Sequence, residues 1–232
     1  MAKKEKSNGK CIFCPQISSG PQMGRHLELC EVRKKAIEKG IAKAAGKSVK
    51  VFAVKVWATY DPDYWLFLEV QSKATLEDLD IFLRDIWTEC CGHLSAFTIK
   101  GKRYTGAGGN DLFDSDEMGD RSMDSALSKV LSVGGTCHYE YDFGSTTDLD
   151  LKVLWEENAA ANKNKVTLLA RNEASAFKCA DCGSPAKVIC SECSCEKESS
   201  YCGKCASQHE CGEEMCLPVV NSPRMGVCGY EG

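Results

Sequence analysis

Apolar residues are distributed in two ways along the chain. Between Val51 and Ala170 they form runs and alternations dense enough for a core, whereas residues 1–50 and 171–232 carry them thinly. Val51–Thr59 and Tyr64–Val70 are β-rich runs on either side of Asp61-Pro62-Asp63, and predict a hairpin. Thr75-Leu76-Glu77-Asp78 reads as a capping-box start, followed by Leu79, Phe82, Leu83 and Ile86 at helical spacing. Phe97–Tyr104 alternates as one strand, and Met123–Leu131 predicts a short helix closed by Gly134-Gly135. His138–Phe143, Leu149–Trp155 and Val166–Ala170 predict further strands. The order ββαβαββ(β) implies an α+β domain, a mostly antiparallel sheet with one dominant helix laid across it.

The two ends predict something different. Gly24 to about Lys39 has helix-forming composition, with Leu29, Val32 and Ala36 or Ile37 as an apolar stripe, and Ile41–Lys50 reads as a linker. Neither end holds enough apolar surface to fold alone.

Composition explains what they hold instead. The chain has 232 residues, 43% of them hydrophobic and 27% charged, which excludes a disordered or collagen-like chain. No apolar run approaches membrane-spanning length, and Met1-Ala2-Lys3-Lys4-Glu5-Lys6 has no apolar stretch behind it, so the expected compartment is the cytoplasm. Sixteen cysteines are the anomaly. In a reducing compartment, clustered cysteine pairs read as thiolate metal ligands, with zinc the first choice.

Cys11-x2-Cys14, then His26-x3-Cys30, has the spacing of a CCHC-type zinc finger occupying residues 1–40. On one continuous helix, His26 and Cys30 would point the same way. The tail, residues 171–232, repeats the knuckle: Cys179-x2-Cys182, Cys190-x2-Cys193 and Cys202-x2-Cys205, followed by His209. Three pairs, His209 and one further cysteine would fill two tetrahedral sites, giving about three Zn2+ ions in all.

This ordering resembles the B-box and related cross-braced fingers. That resemblance implies Cys179 and Cys182 with Cys202 and Cys205, and Cys190 and Cys193 with His209 and a last cysteine. Cys211, Cys216 and Cys228 all remain open for that last position, Cys195 reads as a spare thiol, and sequential pairing stays an alternative.

The central segment, residues 51–170, carries a second resemblance. His93-Leu94-x-x-Phe97, Tyr139-x-Tyr141-Asp142-Phe143-Gly144 and the β-rich opening at Val51 resemble the plasmid pRiA4b ORF-3-like family. The resemblance implies an α+β fold with no assigned reaction. Many members continue Phe-Gly with Asp, Trp and His; here Ser145-Thr146-Thr147-Asp148 follows, so chemistry resting on that His is not implied.

Charge separates the segments further. Residues 1–50 hold 12 Lys and Arg against 4 Asp and Glu, residues 51–170 hold 11 against 20, and the tail 6 against 9. Arg25, Arg33, Lys34 and Lys35, on or beside the finger helix, are therefore expected phosphate contacts. Gly106-Ala107-Gly108-Gly109-Asn110 lacks the Lys-Ser/Thr of a phosphate loop and reads as a turn. Asp114-Ser115-Asp116-Glu117-Met118-Gly119 fails as a calcium loop, because Met118 and Ser125 stand where ligands are required.

Cys90 and Cys91 read as small core fillers beside His93, and His138 is too far from Asp142 along one strand for contact. The expected function is a zinc-binding, non-catalytic interaction protein. It would bind nucleic acid through the basic finger, or a protein partner through the tail; no membrane or small-molecule substrate is indicated. The alternative is an enzyme or small-ligand-binding domain with structural zinc and a cleft near His93, Tyr141 and Asp142.

Overall fold

The computed structural model describes residues 7–106, 120–193 and 199–232. Most of the glycine loop from Ala107, the acidic run Asp114–Gly119, Cys195 and the charged start Met1–Lys6 lie outside the described residues. The chain divides into two compact units: residues 1–82 with 94–173, and residues 83–93 with 174–232.

The first unit is α+β and is built on a ten-stranded sheet, antiparallel except at one edge. Its strands are β1 (Asn8–Cys11), β2 (Ile17–Ser19), β3 (Val49–Ala58), β4 (Trp65–Gln71), β5 (Ser95–Ile99), β6 (Lys102–Thr105), β7 (Arg121–Ser122), β8 (Thr136–Tyr141), β9 (Thr147–Ala159) and β10 (Val166–Asn172). They lie in the order β2-β1-β10-β4-β3-β9-β8-β5-β6-β7. The Asp61-Pro62-Asp63 hairpin forms as expected, with the Tyr64 N–H donating to the Asp61 carbonyl at 3.0 Å. Trp65, Leu66, Phe67 and Leu68 are all buried, so both faces of β4 are covered and its sequence is a continuous apolar run.

One cover is helix α1 (Gly20–Leu29), whose Met23 and Leu27 pack with Trp65, Phe67, Leu169 and Ala170. Gly24 permits that approach, since a Cβ there would stand 3.1 Å from the Phe67 ring. Gly9 is tighter still: a Cβ would fall 2.1 Å from the Arg171 carbonyl oxygen.

The N-terminal segment is thus part of the sheet, because β1 pairs with β10 from Gly9 to Cys11. Its expected helix is two helices. Cys30 is extended, with φ −63° and ψ 106°, and separates α1 from α2 (Glu31–Lys43). The expected apolar stripe is not the packing face, since Leu29 and Val32 are half exposed while Met23, Leu27 and Arg33 are buried. The expected linker is shorter as well, for α2 reaches Lys43 and β3 begins at Val49.

The capping box closes as read: Thr75 Oγ1 accepts from the Asp78 N–H at 3.1 Å, and Asp78 Oδ2 accepts from the Thr75 N–H at 2.8 Å. The helix it starts, α3 (Leu76–Leu83), continues as a π-helical turn, Arg84–Thr88. Asp80 on α3 accepts from the Ser95 and Tyr139 hydroxyls at 2.6 and 2.7 Å, which fixes it to β5 and β8.

Two local expectations change. Phe97–Tyr104 is a hairpin, β5 and β6, because Lys100 and Gly101 take positive φ and reverse the chain. Met123–Leu131 contains only one helical turn, α4 (Leu127–Val130).

The second unit holds a three-stranded sheet of β11 (Val188–Cys190), β12 (Ser200–Tyr201) and β13 (Cys216–Pro218), with the short helix α5 (Gly203–Ala206). Among the described residues no helix is long and apolar enough to cross a membrane.

Candidate metal centres

Metal-ligand side chains gather in four groups among the described residues, each keeping its four ligand atoms within 4.8 Å of one another. A tetrahedral zinc ion would separate two sulfurs by about 3.8 Å and a sulfur from a nitrogen by about 3.5 Å. A disulfide would instead bring its sulfurs to about 2.05 Å. No described cysteine is in a disulfide.

The first group is Cys11, Cys14, His26 and Cys30. Strand β1 supplies Cys11, the turn after it Cys14, helix α1 His26, and the break between the helices Cys30. Cys14 Sγ stands 3.3 Å from His26 Nε2 and 3.9 Å from Cys30 Sγ. His26 and Cys30 thus converge without sharing a helix face. The Phe13 N–H donates to Cys11 Sγ at 3.4 Å.

The tail contributes two groups in alternation, Cys179 and Cys182 with Cys202 and Cys205, then Cys190 and Cys193 with His209 and Cys211. Antiparallel pairing of β11 with β12 produces the interleaving, because it folds the third knuckle back beside the first. Cys182 and Cys202 sulfurs are 3.7 Å apart. In the other group, Cys193 Sγ lies 3.5 Å from His209 Nε2 and 3.7 Å from Cys211 Sγ. The His209 ring is held against Tyr201, with centroids 4.3 Å apart.

Of the three cysteines left open by spacing, Cys211 stands in this group. Cys216 faces Cys190 across the β11–β13 ladder, and its sulfur points to the Gly212 carbonyl at 3.8 Å. Cys228 lies elsewhere, with Cys90, Cys91 and His93.

The electrostatics of the groups suit a cation. The Cys202 backbone N–H is the main reason that the Cys179 thiol is lowered to about 6, while hydrogen bonding to Cys179 raises its neighbour Cys205. Burial opposes ionisation of Cys190, yet the Cys193 N–H and nearby thiols hold it below its usual value; hydrogen bonding to Cys193 pushes Cys211 up to about 12. In the first group the Gln16 N–H lowers Cys14, and burial raises Cys11. Each set therefore holds thiols displaced in opposite directions from their usual value, Cys182 being lowered together with Cys179. A divalent cation removes that conflict, because its charge lets every thiol ionise.

The residues offered for other chemistry sit differently. Tyr141 is fully buried and Asp142 is 6% exposed, its carboxylate accepting from the Gly144 N–H at 3.1 Å, so neither lines an open cleft. Cys91 is exposed and Cys90 half-buried, so neither is a core filler, whereas Cys137 is buried. His138 meets two carboxylates that the sequence did not pair with it, Asp150 at 3.0 Å from Nδ1 and Asp148 at 3.0 Å from Nε2. Strand β9 brings both alongside β8.

Among the four expected phosphate contacts, Arg33 is 1% exposed and its guanidinium pairs with Glu157 and Glu69. Lys34 pairs with Glu31 at 3.3 Å, while Arg25 and Lys35 are exposed. Lys39 and Lys43 were not singled out, yet they are exposed at four-residue intervals from Lys35 along α2, which places all three on one side.

The sequence profile of the plasmid pRiA4b ORF-3-like protein family matches residues 50–187. Among solved structures, the chain is similar to a protein of unknown function from Methanosarcina mazei Go1, with 17% identity and a TM-score of 0.45 over 60% of this chain and 77% of that one. No curated protein matches the sequence.

Proposed function

Because the chain belongs to the plasmid pRiA4b ORF-3-like family, with metal-ligand clusters both before and after its central segment in sequence, we propose that it is a non-catalytic interaction protein carrying structural zinc. The observation that carries this reading is the donor count. The Cys11, Cys179 and Cys190 groups each offer four protein ligands, a closed tetrahedral set, whereas a catalytic zinc keeps a position for water or substrate. Thiolate and imidazole donors favour zinc over calcium or magnesium, which take oxygen ligands. A reducing compartment, the cytoplasm, keeps such thiols available.

The partner best supported is nucleic acid, met by the exposed row Lys35, Lys39 and Lys43 with Arg25. Zinc would hold helix α1 against the sheet, and the break at Cys30 would set the direction of α2 and its lysines. Electrostatic binding of this kind weakens steeply with salt, by a slope of about 0.9 per neutralised phosphate in log affinity against log salt on duplex DNA. The test is fluorescence anisotropy of the full zinc-loaded chain with labelled duplex and single-stranded oligonucleotides over a salt series. A steep negative slope supports the reading. Absent or salt-independent binding rejects the nucleic-acid partner and leaves a protein as the partner to seek.

A further inference from the structure

The segment leaving the π-helical turn, Glu89-Cys90-Cys91-Gly92-His93, carries three metal-ligand side chains within four residues, and Cys228 joins them from the end of the same unit. We infer that Cys90, Cys91, His93 and Cys228 form a further zinc site, separate from the three proposed above and not dependent on them. His93 Nε2 lies 2.9 Å from Cys91 Sγ and 3.2 Å from Cys228 Sγ. The sulfurs of Cys90 and Cys91 are 3.6 Å apart, and those of Cys91 and Cys228 3.8 Å. These separations approximate the edges of a zinc tetrahedron, about 3.8 Å between sulfurs and about 3.5 Å from sulfur to nitrogen. They are far too long for a disulfide.

The surroundings are built to hold this geometry. Gly92, at φ 78°, reverses the chain so that His93 returns to the cysteines, and its N–H donates to Glu89 Oε1 at 2.6 Å. Arg84 braces the turn from the other side, donating to Glu89 Oε2 at 2.8 Å and to the His93 carbonyl at 2.7 Å.

The tail is equally constrained. Cys228 takes φ 52° between Gly226 and Gly229, which are also left-handed, a conformation that a non-glycine residue adopts at an energetic cost. Ser222 Oγ donates to the Trp87 carbonyl at 2.6 Å and accepts from the Arg224 N–H at 2.9 Å, tying the tail to the π-helical turn. Arg224, fully buried, donates from Nη2 to Cys90 Sγ at 3.4 Å. An outer-shell donor of this kind orients the ligand it contacts, as around zinc. Zinc uptake releases the thiol protons to solvent and leaves three thiolates and a neutral imidazole on the ion. The ion would then close residues 83–93 onto the chain terminus by four bonds.

The test is residue-resolved alkylation of the full chain, prepared with zinc under reducing conditions and read by peptide mass spectrometry. Cys91 and Cys228 are exposed, so without metal both are open to the reagent; zinc should protect both, with Cys90, until a strong chelator is added. Zinc per chain by elemental analysis should fall by one in both Cys228→Ser and His93→Ala, and stay level in His93→Cys, which keeps four donors, and in Cys216→Ser. Rapid alkylation of Cys91 and Cys228 in the zinc-loaded chain, a Cys90–Cys91 disulfide, or an unchanged zinc count in a folded Cys228→Ser protein would overturn the site. Alkylation reads these cysteines individually and needs no variant to fold. Its result is therefore independent of whether the other three groups bind zinc.

Discussion

Arg33 on helix α2 is ion-paired with Glu157 on strand β9, and the same guanidinium reaches Glu69 on β4 at 3.5 Å and lies over the Trp155 ring at 5.6 Å. A residue of the basic head is therefore spent on attachment to the acidic body. Removing it would leave Glu69 and Glu157 together without their cation, and burial already raises the Glu69 carboxyl despite Arg33. Arg33→Ala should destabilise the first unit by about 3 kcal/mol, the low end for a broken buried pair, since both carboxylates remain partly hydrated. Denaturant unfolding checks this, and oligonucleotide affinity of the folded fraction should stay near wild type.

The exposed lysines should behave in the opposite way. Lys35→Ala, Lys39→Ala and Lys43→Ala should each leave unfolding within about 0.5 kcal/mol of wild type, as surface changes usually do. Every lysine that neutralises a phosphate should, on its removal, flatten the salt slope of oligonucleotide binding by about 0.9. Anisotropy titrations at several salt concentrations measure the slope and denaturant titration the stability, and an unchanged slope would remove α2 from the interface.

Zinc removal at the first group should act on the sheet edge. Cys11 ends strand β1, and Cys11, Met23, Leu27 and Cys30 pack with Trp65 and Phe67. In Cys14→Ser, amide exchange should quicken in β1 and in its partner residues Ala170–Asn172, while β3 and β9 stay protected. Uniform loss of protection over the whole sheet would show that the segment is needed for global folding.

His138 makes the pH dependence specific. Burial lowers its affinity for a proton, but the hydrogen-bonded Asp150 and Asp148 outweigh this and raise its pKa above the usual value of 6.5. A raised folded value means stability that is fully present below the unfolded pKa and lost as pH rises through the folded one. The melting-temperature difference between wild type and His138→Gln should thus be larger at about pH 5.5 than at about pH 9. Equal differences at both pH values would mean that the ring is not charged between the two aspartates.

Legibility in the sequence followed the range of the interactions involved. The hairpin at Asp61-Pro62-Asp63 and the capping box at Thr75 and Asp78 depend on residues two to three apart, and both were readable. The split at Cys30 was not, because residues on each side favour helix and no local pattern marks the one extended residue between them. The hairpin at Lys100-Gly101 was missed although its signal, a glycine within an alternating run, was present. Cys90 and Cys91 read as packing beside His93 because the fourth member of their group stands at position 228.

The chain by itself determined that it is α+β, that most of its strand-forming apolar runs lie between residues 51 and 170, and that its cysteines are clustered with ligand spacing at both ends. These follow from local periodicity and from pairs of residues a few positions apart. Tertiary structure alone decided that β1 completes the sheet, that Arg33 is buried, that Cys211 stands with His209, and that Cys228 stands with His93. Each of these depends on distances between residues far apart in sequence, which are set by strand register and by the packing of helices over the sheet, and no local pattern of residues encodes them.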